Sequence, residues 1–416
     1  MPPTRNRVVI TGIGVITPVG NTVDAFWAAL LAGKSGAAKI TKFDVTGHSV
    51  TFGAEVKNFE PGAHMDPKEA KRMDPFSQYA VAAAKQAVED AKLDFSKLDR
   101  FRCGAIIASG IGGLTELQEQ DKKFNEKGAG RISPFFVPKM MLNAAAGQIA
   151  IAHGLGGPNW GVASACASAN HAMGTALRTI QYGDADLMLT GGSEAALTYL
   201  SLAGFGNMGA LSTRNDAPEK ASRPFDKNRD GFLLGEGAGI LVFEKLEHAL
   251  ARDAKIYAEV LGIGNSDDAY HITAPDPDGT GGAYAMNAAL KDAGLKPEQI
   301  SYINAHGTST PLNDKIETAA IKKTFGDYAK QIPIRSTKSM VGHLLGAAAA
   351  VELIATVLSI RDGVVHRTAN YETPDPDCDL DYVPGDNRKV DVKYAMSNSL
   401  GFGGHNSAII IGKLVK

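Results

Sequence analysis

The chain echoes itself. Ala87-Val88-Glu89-Asp90-Ala91-Lys92-Leu93-Asp94 resembles Ala289-Leu290-Lys291-Asp292-Ala293-Gly294-Leu295-Lys296, and each segment leads into a stretch of strand character, Cys103 onward and Ser301 onward. Each half also carries a later helix of small residues, from Cys166 to Tyr182 and from His343 to Ile360. Self-similarity of this kind restricts the fold to a duplicated unit, and strands alternating with helices make that unit α/β. We therefore read residues 1–255 and 256–416 as two related halves. The helix from His343 is apolar around most of its circumference and is expected inside the molecule. Its Glu352 then needs a cationic partner, a bound ion or a proton.

The rest of the chain excludes several classes. A net charge of −2 gives no global case for nucleic acid or an anionic membrane. The three cysteines, Cys103, Cys166 and Cys378, lie far apart with no CxxC, against both a disulfide scaffold and a zinc site. This usage points to a reducing compartment, hence a cytoplasmic protein. Val8 to Pro18 is broken by Gly and Thr and lacks a small-residue cleavage site, so no signal peptide is expected. No uncharged apolar run is long enough to cross a bilayer.

Taken in order, Val8 to Gly12 reads as a buried strand, and Asn21 as the cap of a helix running to Leu31. Gly12-Ile13-Gly14 hints at a dinucleotide loop, but position 17 is Thr and no helix opens directly after it. Asp66 to Leu93 reads as two helical pieces, with Lys68, Lys71 and Arg72 on one face. A strand from Cys103 to Ser109 ends in Gly110-Ile111-Gly112-Gly113, and the polar stretch from Gln118 to Arg131 reads as an insertion over the core. Asp226-x-Asn228-x-Asp230-Gly231 imitates half of a calcium loop, but its twelfth position is Gly237, so calcium is rejected.

The chemistry converges on Cys166. The strand Asn159 to Ser164 hands over there to the helix, and a thiol at a helix N-terminus is expected to lose its proton more readily, giving nucleophilic thiolate. Three later loops follow expected strands, where open α/β folds place ligands: Asn304 to Pro311 with His306, Ser336 to His343 with Lys338, and Asn398 to Asn406 with Gly401-Phe402-Gly403-Gly404. A cysteine, two histidines, a lysine and a Gly-rich turn gathered at strand ends suggest carbon–carbon bond formation through a thioester.

These residues resemble a family. Ala165-Cys166, Asn304 to Pro311, Lys338 with Gly342-His343, and Gly401 to Gly404 are similar to the four signatures of the β-ketoacyl-[acyl-carrier-protein] synthases. Ser133-Pro134-Phe135-Phe136-Val137-Pro138 and Leu211 to Asp216 extend the likeness, which is strongest to the elongating synthase II branch. The resemblance implies a thiolase-like fold, a duplicated five-layered αβαβα core, in a homodimer. It implies that Cys166 takes the acyl chain, that His306 and His343 act on a malonyl thioester, and that the amides of Cys166 and Phe402 bind the tetrahedral oxyanion, with the Phe402 ring as a gate. Lys338 with Glu352 would hold the network, Thr308 and Thr310 would bind the pantetheine arm, and Ile111 and Phe136 would line the acyl path. No cofactor is called for, and the one metal the resemblance allows is a monovalent cation near Asn304 and Glu352.

The implied activity is decarboxylative condensation of an acyl-enzyme with malonyl-acyl-carrier-protein in fatty-acid elongation. Two histidines disfavour an initiating synthase, and Cys166 disfavours the chain-length-factor paralogues that lack it. A type II polyketide ketosynthase is the nearest alternative. A thiolase would need a second catalytic cysteine, and Cys378 is not in a Gly-rich loop. The paired histidines disfavour both a Cys-His peptidase and a non-catalytic carrier-binding scaffold. The implied partner is an acidic acyl carrier protein, met by Lys68, Lys71, Arg72 and Arg131. Gly130 and Gly209 stand where well-known relatives carry Arg, so a shallow salt dependence is expected.

Overall fold

The structure, a computed structural model, describes residues 5–415. Ten strands form one sheet whose order reads the same from either edge. They are β1 (Val8–Ile16), β2 (Cys103–Ala108), β3 (Asn159–Val162), β4 (Leu187–Glu194), β5 (Gly237–Lys245), β6 (Ala258–Asp267), β7 (Tyr302–Asn304), β8 (Ile334–Arg335), β9 (Tyr394–Gly401) and β10 (His405–Gly412). Their order is β8-β7-β9-β10-β6-β1-β5-β4-β2-β3, so every strand of the first half has a counterpart five numbers later, in mirrored order about the β1–β6 joint. That joint is only three residue pairs long, Val8 to Ile10 against Ala258 to Val260. β2 runs parallel to β3 and β4, and β7 parallel to β8 and β9. The inner pairs β1–β5, β6–β10, β4–β5 and β9–β10 are antiparallel.

Six helices complete five layers. α1 (Pro75–Asp90) and α2 (Ala144–His153) cover the outer face of the first half, sharing a core with Ala105, Ile107, Leu189 and Ile240. α4 (Thr280–Ala293) and α5 (Pro311–Phe325) cover the second half in the same way. Between the halves lie α3 (Ser168–Gln181) and α6 (Ala348–Asp362), packed against inward residues of both. Strand residues alternate between these cores, Ile106 and Ala108 toward the middle layer and Ala105 and Ile107 outward. Every residue of α6 from Ala348 to Ile360 is buried, as its all-round apolarity predicts. The layering is αβαβα.

The repeat goes deeper than the helical echo. A Cβ on Gly12 or Gly14 would come within 2.2 Å of Ala87 O or 2.1 Å of Ala83 O, so bare backbone there lets α1 lie directly on β1. In the second half, Gly262-Ile263-Gly264 faces α4, and a Cβ on Gly264 would meet Ala285 O at 2.0 Å. Between each glycine pair the isoleucine N–H donates to a helix carboxylate: Ile13 to Asp90 and Ile263 to Asp292, both at 3.0 Å. These glycines seat helices and bind no dinucleotide.

Several local expectations are corrected. Thr22 caps the first helix (Val23–Leu31) by accepting from Ala25 N at 3.2 Å, while Asn21 donates instead to Lys57 O at 2.7 Å. The helix bearing Lys68 is a single turn, Pro67–Ala70, so Lys71 and Arg72 lie beyond it and share no helical face with Lys68. The chain restarts there because Pro75 disfavours helix at Asp74, which becomes the cap of α1. The stretch from Gln118 to Arg131, expected as an insertion over the core, is mostly the end of a helix, Leu114–Lys127. Three of its polar residues point inward: Glu116 pairs with Lys139, Gln118 accepts from Leu200 N and Gln120 accepts from Ser133 N. Asp226, in the false calcium loop, accepts from Arg223 and from the amides of Asn228, Glu372 and Thr373.

Candidate active site

Beyond β3 the chain makes a tight turn, and Ala165 adopts φ +49°, a left-handed conformation uncommon outside glycine. Ser168 pins it, its hydroxyl accepting from Ser164 N at 2.8 Å and donating to Ala165 O at 2.6 Å. Cys166 therefore stands just ahead of α3, whose cap is Ala167. The sequence predicts a thiol with lowered pKa, and the structure reverses this. Burial pushes the Cys166 thiol up to about 11, against the opposing pull of Lys338 and of the Phe402 and Cys166 amides. The helix start is real, but the loss of water outweighs it.

The Gly-rich turn lies against this cysteine. A side chain on Gly401 would come within 3.1 Å of both Cys166 N and Ala167 N, so only glycine lets the turn approach closely enough to aim the Phe402 amide at the thiol. Ser399 holds the same place from below, donating to Cys166 O at 2.8 Å.

His343 follows Gly342, which has φ +76°, and its amide donates to Leu233 O at 2.7 Å. Its Nε2 lies 2.9 Å from Cys166 Sγ. His306 lies early in the loop after β7, where its amide and that of Gly307 donate to the two oxygens of Glu317 at 2.7 and 2.8 Å. The two imidazoles stand edge to face, centroids 5.3 Å apart. Burial, and then the Lys338 charge, hold both histidines well below their usual pKa, so both are neutral. Lys338 is paired with Glu352 and lies 3.3 Å from His306 Nδ1. A lysine ammonium only donates, so Nδ1 accepts and the ring proton sits on Nε2. Cys166, His306 and His343 thus bring a proton-exchanging pair and a separate imidazole N–H to one point, their ligand atoms within 4.8 Å of one another.

That point opens into a cavity of about 470 Å³, lined by Cys166, His306, His343, Thr308, Thr310 and Phe402, with Ile111 and Leu345 on its wall. The hydroxyls of Thr308 and Thr310 are 2.9 Å apart. Phe136 is left outside this lining. It opens the short helix Phe136–Met140, which Lys139 ties to the outer helix 114–127 through Glu116. Lys68, Lys71, Arg72 and Arg131 are exposed. Arg72 pairs with Glu69 at 3.0 Å and lies over the Phe135 ring at 5.2 Å.

Asn304 and Glu352 do not fit the monovalent cation expected beside them. Asn304 Oδ1 accepts from Arg335 Nη1 at 2.9 Å and from Thr337 at 3.4 Å, while its Nδ2 donates to Ser397 at 2.9 Å and to Glu352 Oε2 at 3.4 Å. The other Glu352 oxygen holds Lys338. Two buried cations therefore flank the place a metal ion would take.

Three residues of the site carry no motif. Glu317 fixes the His306 loop, and burial pushes its carboxyl up to about 7 against those two amides. Arg335 ends β8. Glu194, at the end of β4, accepts from Ser109, from the amides of Gly110 and Ile111, and from Gly346 N at 3.0 Å, joining the cavity wall to the segment after His343. The one available signal for Glu194 is an acidic residue in an apolar setting with no cation nearby in sequence, whereas Glu317, two residues from Lys315, gives no such signal.

Residues 5–249 match the family described as "Beta-ketoacyl synthase, N-terminal domain", and residues 257–372 match "Beta-ketoacyl synthase, C-terminal domain". A 3-oxoacyl-[acyl-carrier-protein] synthase 2 of Synechocystis is 53% identical over 409 residues, covering 98% of each chain. A Staphylococcus aureus protein of the same name is 52% identical over 98% of this chain and 99% of its own. Among solved structures, a ketosynthase bound to the hexaketide, in complex with its type II PKS acyl-carrier protein, superposes with a TM-score of 0.92. It is 38% identical, over 99% of this chain and all of that one.

Proposed function

Because the chain belongs to the β-ketoacyl synthase family, we propose that the cavity at Cys166 carries out elongating condensation in fatty-acid synthesis. The enzyme is an acyltransferase that joins an acyl group to malonyl-acyl-carrier-protein with loss of carbon dioxide. The observation that carries the assignment of residues is the pairing of Cys166 Sγ with His343 Nε2 at 2.9 Å, beside an N–H of His306.

The chemistry runs in two halves. Cys166 gives its proton to His343 as it attacks the acyl thioester, and the carrier's pantetheine sulfur leaves with that proton. A neutral buried imidazole suits this, since it must take up and release one proton per cycle. Malonyl-carrier then enters along Thr308 and Thr310. Its C–C bond to the carboxylate breaks, carbon dioxide departs, and the electron pair becomes an enolate whose oxygen accepts from the His306 Nε2–H and from His343 once its imidazole proton has moved back to Nε2. The enolate carbon attacks the Cys166 thioester carbonyl. The amides of Cys166 and Phe402 hold the tetrahedral oxyanion, which collapses to expel the Cys166 thiolate, and one proton taken up from solvent restores the thiol. Lys338 and Glu352 orient His306, and Ile111 lines the acyl path.

The carrier is the partner, and we assign its docking to the face bearing Lys68, Lys71, Arg72 and Arg131. The halves 1–255 and 256–416 form one duplicated pair. A homodimer is supported by the uncovered edge strand β3 with its exposed Trp160, close in sequence to exposed Phe135, Val137 and Met141. Among the described residues no helix is long and apolar enough to cross a membrane, and the free thiols suit a cytoplasmic location. The polyketide reading is favoured by the 38% identical ketosynthase neighbour. Both are tested by incubating the enzyme with acyl- and malonyl-carrier and following carbon dioxide release together with the mass of the products. One condensation per acyl chain supports elongation, repeated condensation without reduction supports the polyketide reading, and no carbon dioxide release overturns both.

A further inference from the structure

Arg335 is among the largest fully buried side chains described, and among the described residues two of its three guanidinium nitrogens, Nε and Nη2, have no hydrogen-bond partner. A buried cation with unmet donors is costly and requires a reason for its place. Its one hydrogen bond is to Asn304 Oδ1 at 2.9 Å, and its guanidinium lies over the Tyr302 ring at 5.2 Å. That single bond fixes which way Asn304 faces. With Oδ1 engaged, Nδ2 must point to Ser397 and to Glu352 Oε2, and Glu352 in turn holds Lys338 against His306. The buried row Arg335–Asn304–Glu352–Lys338–His306 carries two cations and one carboxylate.

We infer that the Arg335 guanidinium supplies from the chain itself the positive charge beside Asn304 and Glu352 that resemblance assigns to a bound monovalent cation. Arg335 does not line the cavity and acts as a positioning residue through Asn304 and Glu352. A charge covalently attached to β8 does not exchange with solvent, so the site works in the same way whatever the salt. The inference rests on the condensing reading only for its turnover readout, and thermal unfolding tests it separately.

The test compares wild type in buffers whose only added cation is sodium, potassium or tetramethylammonium, at equal ionic strength. Turnover and Tm are expected to agree across all three, and a requirement for sodium or potassium in either readout overturns the inference. In tetramethylammonium, Arg335→Ala is expected to lose ~10-fold or more in kcat, as changes to groups that orient a reacting residue do, with KM moved less. Added potassium or millimolar guanidinium is expected to restore part of both kcat and Tm. A variant that keeps wild-type kcat and Tm in tetramethylammonium overturns the inference. Should Arg335→Ala fail to fold, Arg335→Lys decides: a folded, active, cation-insensitive variant supports a charge requirement. An unfolded or inactive lysine variant with no rescue by any cation shows that shape and not charge is needed, and overturns it.

Discussion

The two halves share a frame and divide the chemistry. In each, a Gly-Ile-Gly strand segment seats a helix, and the central isoleucine amide is held by that helix's aspartate, Asp90 in one and Asp292 in the other. In each, a middle-layer helix starts just after a reactive side chain, Cys166 before α3 and His343 before α6. The difference lies in what else those helices bring. α3 is amphipathic in character and carries no carboxylate, whereas α6 is buried from Ala348 to Ile360 and places Glu352 under Lys338 and His306. Duplication thus provides two equivalent strand ends facing one cavity. Divergence at those ends puts Cys166 in one half and His306, Lys338 and His343 in the other.

Removing the nucleophile tests this division most severely. Cys166→Ala is expected to abolish acyl-enzyme formation, seen as loss of the acyl mass increment, while circular dichroism stays native because the turn is held by Ser168 and Ser399 through backbone groups that Ala leaves in place. Condensation by that variant would place the nucleophile in the wrong half. A sharper test follows from the thiol itself. With Cys166 pushed up to about 11, only roughly one thiol in ten thousand is ionised at pH 7. Alkylation by iodoacetamide is therefore expected to accelerate ~10-fold per pH unit from 7 through 10. A plateau near neutrality would restore the lowered-pKa expectation. On the other side, His306→Ala is expected to slow decarboxylation ~10²-fold or more, as loss of an oxyanion donor does, and to affect acylation of Cys166 less. Equal losses in both steps would mean that the halves do not divide the reaction.

The smallest effects concern the shared frame. Asp90→Ala and Asp292→Ala each orphan a buried amide, a loss of about 1–3 kcal/mol measured by urea unfolding. Asp292 is expected toward the upper end because Arg178 at 2.7 Å also loses its partner. Burial acts against ionisation of Asp292, but Arg178 and the Ile263 amide more than offset it and hold the carboxyl below its usual range. Its contribution is therefore complete above about pH 4 and lost as pH falls through that lowered value. Wild type and Asp292→Ala should accordingly converge in stability in acid, and a gap that persists there would show that charge is not what Asp292 contributes.

Much of this frame is legible from residue order alone. The echo around Asp90 and Asp292 points to duplication, all-round apolarity places α6 inside, and Cys166, His306, Lys338 and His343 stand in recognisable loops at strand ends. What escapes is whatever depends on a distant neighbour. Gly262-Ile263-Gly264 has no visible purpose until α4 lies on it. Glu317 and Arg335 find their partners only after β7, β8 and α5 are assembled. The helix Leu114–Lys127 is hidden by polar residues whose partners, Lys139, Ser133 and Leu200, come from later segments. The thiol's raised pKa escapes for the same reason, since a helix start is local but dehydration is set by the whole fold.

Burial of sulfur has a consequence outside catalysis. All three cysteines are buried and unpaired, and burial raises every thiol, Cys103 and Cys166 to about 11 and Cys378 to about 12. Peroxide attacks thiolate, and the first oxidation product, a sulfenic acid, forms in proportion to how much thiolate is both present and accessible. Burial that holds each sulfur protonated leaves little thiolate for peroxide to attack, and of the three only Cys166 faces the cavity. On the proposed reading its proton passes to His343, 2.9 Å away, only as the acyl substrate arrives, so the reactive form exists chiefly when its substrate is present.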